Sequence, residues 1–415
     1  MGHRLGERLG YVLVVNTSIG SGYFAIPWAY SRGGWAISLF FQVLFVALGY
    51  LLALQVLEIL PKARFLYYLE ASGKPRPKPS LFHLFSSLPT APPVQAELEA
   101  SRNDLEIDMV QVVRLLLGEL WCAVYLIVLI AYLEGCLITY VNELGRAACG
   151  YWDLGTTNED IVYRVSVAIY LLVAVYYCHI SLEKQITMQV FMWSARIALF
   201  LFTLLLSITA LSLGEQTHTT PANFSIKKLS QCISVLTLAG IHQFQLPTLL
   251  RCIYPMRAMH RRIVLRNAVT LLVVNTLTGV LAGVTFSFVG DSMVGGIRDL
   301  KEHHLQHGLI RVFEFLTGIL PVFIVISIFP IHLFVTSDNL LSFLYGPNHP
   351  SRARPNRRIA IRLLCLLCPF AYCLSSTHLV TNSLGSTGSG CRHNGLLIVL
   401  LLHPSPALNR PSHGP

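Results

Sequence analysis

Two short stretches place polar and helix-breaking residues in the middle of segments apolar enough to cross a bilayer. The first is VVNTSIGSGYFAIPWAY, residues 14–30, with Asn16, Thr17, Ser18, Gly20, Ser21 and Gly22 at its centre and Pro27 beyond. The second is LTLAGIHQFQLPTLLRCIYP, where Gly240, His242, Gln243, Gln245 and Pro247 interrupt the apolar run. In hydrocarbon every backbone N–H and C=O needs a partner, so irregular backbone is tolerated only where it is buried in protein or lines a cavity. Three readings fit the first stretch: small residues for close helix packing, a kink at Pro27, or a helix unwound near Gly20 to Gly22. An unwound helix offers N–H groups to an anion and carbonyls to a cation, and such breaks recur at corresponding positions of two inverted halves. Spans one and six correspond in a five-plus-five repeat, and the two interruptions fall there. GSGYFA also satisfies the dinucleotide fingerprint, but that chemistry needs a preceding strand in a βαβ unit. Its flanks here are membrane segment.

Other groups could carry chemistry. Glu134 lies within AYLEGCL, inside the third apolar segment. A carboxylate at that depth is costly, and it serves either as a proton acceptor or as a neutral acid bonded to a neighbouring helix. Arg196, in WSARIAL, is expected to snorkel from the inner end of span five. His303, His304 and His307 in EHHLQHG lack a fourth ligand and read as solvated residues rather than a metal site. Cys365 and Cys368 stand in an apolar segment and read as packing residues, since the ten cysteines show no repeated pair at zinc spacing. No catalytic triad, paired hydrolase carboxylates or phosphate loop is present, so the chain reads as a non-enzyme.

The elements that position these residues follow from composition. Of 415 residues, 53% are hydrophobic and only 13% charged, and the mean hydropathy is +0.57. That is about half the charge of an average globular domain, and it predicts an all-α polytopic membrane protein. Nine spans are expected, at about 9–30, 35–60, 110–143, 162–181, 188–213, 229–251, 267–289, 310–345 and 359–380. With a cytoplasmic N-terminus, about 19 Lys and Arg residues fall on inner segments and 8 on outer ones, a positive-inside bias. The net charge of +10 is therefore mostly topology, and nucleic acid is not an expected partner. The sequon at Asn223 falls on an outer loop, which predicts glycosylation there. Residues 61–107, rich in Pro and polar residues, read as a partly disordered cytoplasmic insertion. After about residue 380 the pattern changes: GLLIVLLLH is too short to cross, so 381–415 reads as a divergent tail with a partial tenth span.

Residues NTSIGSGYFAIPWAYSRGGW resemble the first span of the amino acid/auxin permease group, within the amino acid–polyamine–organocation superfamily. Its members include sodium-coupled neutral amino acid transporters. The resemblance continues through LEIDMVQV, YLEGCLITY, GIHQFQLPTL, FSFVGDSM, ILPVFIVISIFPI and THLVTNSLGSTGSG, over about residues 9 to 390. It implies the fold of the bacterial leucine transporter, an inverted repeat of about nine to ten helices here, with helices one and six interrupted. It also implies roles by position. Asn16 falls where the sodium-coupled relatives have a cation-liganding asparagine, and Ser327 near their span-eight hydroxyl. Ile19, Gly20, Ser21 and Gly22 would offer N–H groups to a substrate carboxylate, and Gly240, His242 and Gln243 would face the substrate from span six. An amide oxygen, a hydroxyl and freed carbonyls suit a small monovalent cation, and glycine leaves the N–H groups unshielded.

The expected function is secondary transport of amino acids or related small solutes by alternating access. The driving ion is sodium or a proton, with Glu134 as the candidate proton acceptor; no other cofactor is expected. The rival readings are an amino-acid sensor built on a transporter scaffold and an inactive truncated transporter. The expected partners are the small-molecule substrate and the bilayer, at the plasma membrane or an endomembrane.

Overall fold

The structure, a computed structural model, describes residues 6–19, 22–71, 108–151, 159–180, 182–212, 232–233, 235–237, 239–240, 245–251, 253, 257–285, 307–346 and 354–375. Among the described residues every regular element is a helix. In chain order these are α1 (Glu7–Ser18), α2 (Gly22–Gly33), α3 (Trp35–Ala71), α4 (Met109–Leu117), α5 (Glu119–Tyr151) and α6 (Glu159–His179). A 3₁₀ turn (Leu182–Gln185) then precedes α7 (Ile186–Ser212), α8 (Leu246–Arg251), α9 (Arg257–Thr285), α10 (His307–Tyr345) and α11 (Pro355–Ser375).

Seven of these helices, α3, α5, α6, α7, α9, α10 and α11, are long and apolar enough to cross a membrane. They coincide with expected spans two, three, four, five, seven, eight and nine. Their outward faces carry large apolar side chains in the open: Phe40, Leu51, Ile127, Leu172 and Leu201 are each more than half exposed. The polar side chains lie inside instead, which is the inversion that a hydrocarbon solvent selects.

Expected span one is two helices. α1 stops at Ser18, where Ile19 leaves helical geometry (φ −85°, ψ 80°) while its N–H still bonds to the Val15 carbonyl. Polar side chains line the last turn of α1. The Thr17 and Ser18 hydroxyls both donate to the Val14 carbonyl, at 2.7 and 2.9 Å, satisfying an acceptor in the last turn. α2 resumes at Gly22. Span six is helical at 232–233, 235–237 and 239–240 and again from Leu246. Residues 241–244 lie outside the described residues. The halves pair crosswise. α1 packs on α8, with Gly10 against Ile253, while Ile26, Ala29 and Tyr30 of α2 pack with Cys232, Leu236 and Ala239.

The structure corrects the expectation of a single span over 110–143. Gly118 adopts φ 89°, ψ 179° and divides it. This region of backbone space is open essentially to glycine alone. Before it, α4 is a short helix with Val110, Gln111 and Val112 turned inward. It is pinned to the end of α10 by Arg114, which donates to the Phe343 carbonyl at 3.1 Å and stacks over the Phe343 ring. Helix α3 runs on through Pro61 to Ala71, eleven residues into the segment read as an insertion; the rest of that segment, to residue 107, lies outside the described residues.

α10 occupies the centre. It packs on α5, α7, α11, α4 and α1, and 83% of its span is buried, against 28–44% for the other six. α9 lies against α1, α2, α3 and α7.

Candidate substrate and ion site

Where α1 ends, three elements meet on one buried polar cluster. Asn16 of α1, Gln189 of α7 and Ser327 of α10 are fully buried, and Arg196 of α7 is 5% exposed. Asn16 Nδ2 donates to the Gln189 backbone carbonyl at 2.7 Å and to Gln189 Oε1 at 3.0 Å. Gln189 Nε2 in turn donates to the Ser327 carbonyl at 2.9 Å. The Arg196 guanidinium closes the ring. Its Nη1 donates to Asn16 Oδ1 at 2.8 Å and to the Asn16 carbonyl, and its Nη2 donates to Ser327 Oγ at 2.6 Å. A longer contact of 3.5 Å runs from Nη2 to the Ile324 carbonyl.

The residues expected to hold a cation, Asn16 and Ser327, are thus brought together, but around an arginine. The guanidinium takes the amide oxygen, the hydroxyl and the carbonyls that would ligate a monovalent ion. Arg196 does not snorkel. Gln189 and Arg196 are seven residues apart, two helical turns, so one face of α7 presents both. Among the described residues no acidic side chain pairs with Arg196 and its buried Nε has no partner. Removing a guanidinium from water costs several kcal/mol, and charge-assisted hydrogen bonds to neutral acceptors offset this only in part.

Helix α9 lines the broken helix from the other side. Asn267 Nδ2 donates to Ser18 Oγ at 3.0 Å, Thr278 Oγ1 donates to the Tyr23 hydroxyl at 3.1 Å, and the Tyr11 hydroxyl meets Thr270 Oγ1 at 2.6 Å. Ile19 is buried among Val15, Tyr23, Val46, Leu199, Leu271 and Ile324. Gly20 and Ser21 lie outside the described residues, as do His242, Gln243 and Asn223, and His303 and His304. Gly22 is the first residue of α2. Gly240 sits elsewhere, flush against α3: a Cβ there would stand 3.1 Å from Phe45 Cβ and 3.3 Å from its backbone.

Glu134 is not part of this cluster. Its Oε2 is buried with no partner among the described residues, and its electrostatic neighbours are Cys365 and Cys368 of α11. Tyr140, six residues on, faces His332 of α10 instead. Six residues turn a helix through about 600°, which places the two side chains on different faces of α5. No group of three His, Cys, Asp or Glu residues is arranged to hold a metal among the described residues.

Sequence reasoning missed the part played by Arg196, Gln189 and His332. The signal for the first was visible as a lone arginine within 27 otherwise uncharged residues of α7.

Buried polar networks inside a bundle of lipid-facing helices decide the class. The chain is an all-α, multi-pass membrane protein. No protein-family model matches it, and no curated protein matches it. Among solved structures it is similar to the manganese transporter of Eremococcus coleocola. A crystal structure of a histidine mutant of that protein aligns with a TM-score of 0.49 and 13% identity, over 94% of this chain and 74% of that chain. One with a glutamate replaced by glutamine aligns with a TM-score of 0.48 and 15% identity, over the same shares. A likeness at this level carries nothing about substrate or ion.

Proposed function

We propose that this chain is a secondary transporter of amino acids or related carboxylate-bearing small solutes, working by alternating access around its broken first span. One observation carries the reading: Arg196 is buried between Asn16 and Ser327 with no acidic partner among the described residues. A guanidinium held by neutral acceptors leaves its positive field uncompensated. The start of α2, at Gly22, adds the positive end of a helix dipole beside the same break. A solute carboxylate is the group that such a place favours.

In this reading the expected sodium site has its cation built in. Oxygen ligands that suit a small monovalent ion also suit guanidinium N–H donors, and the tethered charge cannot leave. Asn16 and Ser327 then orient Arg196 rather than bind an ion, and the proton gradient supplies the work. A fixed positive charge also disfavours a divalent cation, so manganese is not the expected substrate.

Uptake of a labelled amino-acid mixture into proteoliposomes, with sodium and pH gradients imposed separately, tests this. The expected result is accumulation driven by the pH gradient and unchanged when choline replaces sodium. Sodium-dependent accumulation refutes the built-in cation. Saturable binding without accumulation makes the chain a sensor on a transporter scaffold.

A further inference from the structure

A second polar cluster lies about one and a half turns along α10 from Ser327. His332 and Gln245 are each 2% exposed. Gln245 Nε2 and His332 Nε2 stand 2.9 Å apart, and His332 Nδ1 is 3.3 Å from the Ile328 carbonyl. A carbonyl can only accept, so Nδ1 carries the hydrogen. Nε2 then holds a lone pair and accepts from the Gln245 amide. These two contacts define a neutral imidazole in one tautomer. The Tyr140 ring packs edge-on against it, with centroids 5.2 Å apart.

The other end of the same amide is unsatisfied. Gln245 Oε1 is buried and has no partner among the described residues. A buried acceptor left without a donor is costly, and buried side-chain polar atoms in folded proteins are mostly paired. Here one half of a primary amide is used on a histidine and the other half stands open, immediately after the interruption of span six.

We propose that His332 and Gln245 form a proton-binding site, in which protonation of His332 turns the Gln245 amide over. A proton adds to the lone pair of His332 Nε2, forming an N–H bond and an imidazolium. The Gln245 N–H that donated there now faces a donor, and that hydrogen bond breaks. Rotation about the last side-chain torsion of Gln245 exchanges its ends. Oε1 accepts from Nε2–H, and the NH₂ group takes the position where Oε1 stood. The Nδ1–H bond to Ile328 is kept, and no other atom changes hands. The open end of the amide is therefore an acceptor when His332 is neutral and a donor when it is charged. A solute group held beside the second interruption meets one or the other according to the proton.

The surroundings leave His332 as the group that can switch. Tyr140 faces it from α5, and Tyr170 of α6 packs on Phe329, three residues away. From α7 the only charge is Arg196, already committed to Asn16 and Ser327. Arg362 of α11 stacks over Phe334, and Arg114 of α4 over Phe343. α1 brings neutral Asn16 to this part of α10, and its acid, Glu7, is bonded to Arg262 and Arg266 of α9. No carboxylate is bonded to His332 among the described residues.

The link to solute rests on the transporter reading; the proton site does not. The test therefore has two arms, both on the full-length protein. In nanodiscs, with isotopically labelled histidine and glutamine, the His332 nitrogen signals are assigned by their loss in His332→Gln. They are followed as the pH falls from about 8 to about 3.5, through and beyond the range where an unperturbed histidine titrates. The expected result is protonation of Nε2 with a concerted shift of the Gln245 side-chain amide. In proteoliposomes, His332→Gln and Gln245→Met should lower pH-driven accumulation of a labelled amino-acid mixture to the equilibrium level, while exchange without a gradient persists. The proposal is overturned if His332 stays neutral throughout, if it titrates while the Gln245 amide signal is unmoved, or if both variants accumulate solute like the wild type. If the wild type moves no solute, the transporter reading fails and the nitrogen signals still decide the proton site. If His332→Gln does not fold, Gln245→Met carries both arms, with the histidine signals assigned through the change this variant makes.

Discussion

Arg196 donates to both oxygens of Asn16, its backbone carbonyl and its side-chain amide, across a sequence separation of 180 residues. The last turn of α1 is thereby fastened to α7, and through Ser327 to α10. Replacing Arg196 by Lys keeps the charge but not the planar fork that reaches two partners. Loss of one arm is expected to cost about 1.5–3 kcal/mol, the range for a hydrogen bond to a charged group. Arg196→Ala leaves the oxygens of Asn16 and Ser327 facing a gap. In that variant, and not in the wild type, thermal stability in detergent is expected to rise when sodium replaces choline.

Asn16→Asp places the missing counter-charge beside Arg196. The second oxygen of that carboxylate, however, replaces the amide that donates to the Gln189 carbonyl and to Gln189 Oε1. The charge gained beside Arg196 is thus offset by two lost donations, and resistance to thermal unfolding should hold or fall. Affinity for a carboxylate-bearing solute should weaken by about tenfold or more, equivalent to about 1.4 kcal/mol, as read by scintillation proximity binding. Unchanged affinity would show that the guanidinium does not serve the solute.

Gly118 holds α4 at an angle to α5 through a backbone geometry that no other residue adopts cheaply (φ 89°, ψ 179°). Among the described residues nothing lies within 4 Å of a Cβ built there, so the cost of Gly118→Ala is conformational and not steric. A loss of about 1–3 kcal/mol is expected, measurable as a lowered unfolding midpoint.

Gly279 tests close packing. A Cβ there would stand 2.6 Å from two ring carbons of Tyr30, and Tyr30 is 2% exposed. Gly279→Val must displace that ring from the contact between α2 and α9. A cost of about 1–3 kcal/mol is expected from overpacking, partly restored by Tyr30→Leu in the double variant.

At the far end of α1, Glu7 accepts from Arg262 at 2.9 Å and from Arg266 at 2.7 Å. Both arginines are more than half exposed, so the pair should contribute less than about 1 kcal/mol to global stability. It should matter more for where α1 rests. Ile253 is 1% exposed and lies under Gly10. A cysteine replacing Ile253 is expected to react with an impermeant thiol reagent several-fold faster when Glu7 is also changed to Gln. High salt should reproduce the effect by screening.

The interruption of the first span was legible because hydrocarbon makes polar, glycine and proline residues conspicuous. Thr17 and Ser18 bond the Val14 carbonyl from three and four residues on, so these partners in the last turn of α1 are local in sequence. Gly118 was not legible. It is one glycine in the run LLLGELW, and nothing around it shows that its φ would be positive. Arg196 was misread because snorkelling needs only a long side chain near a helix end, whereas its actual partners come from α1 and α10. Glu134 was singled out for its depth, but depth does not say which face of α5 carries it. His332 and Gln245 stand 87 residues apart, and only the packing of α8 on the bundle joins them.

The burial of α10 constrains how the protein is made. This helix carries Ser327, His332, Thr336, Ser337, Asn339 and Ser342, every one at most 2% exposed. In lipid that stripe would be costly, with partners only within its own turns. Its outside partners come from segments synthesised much earlier, Gln111 and Arg196 among them. When α10 leaves the ribosome, α1 to α9 must already offer a polar groove to receive it. Insertion of this span is therefore an act of assembly, and a variant that disturbs Arg196 should show first as a chain retained and degraded during biogenesis.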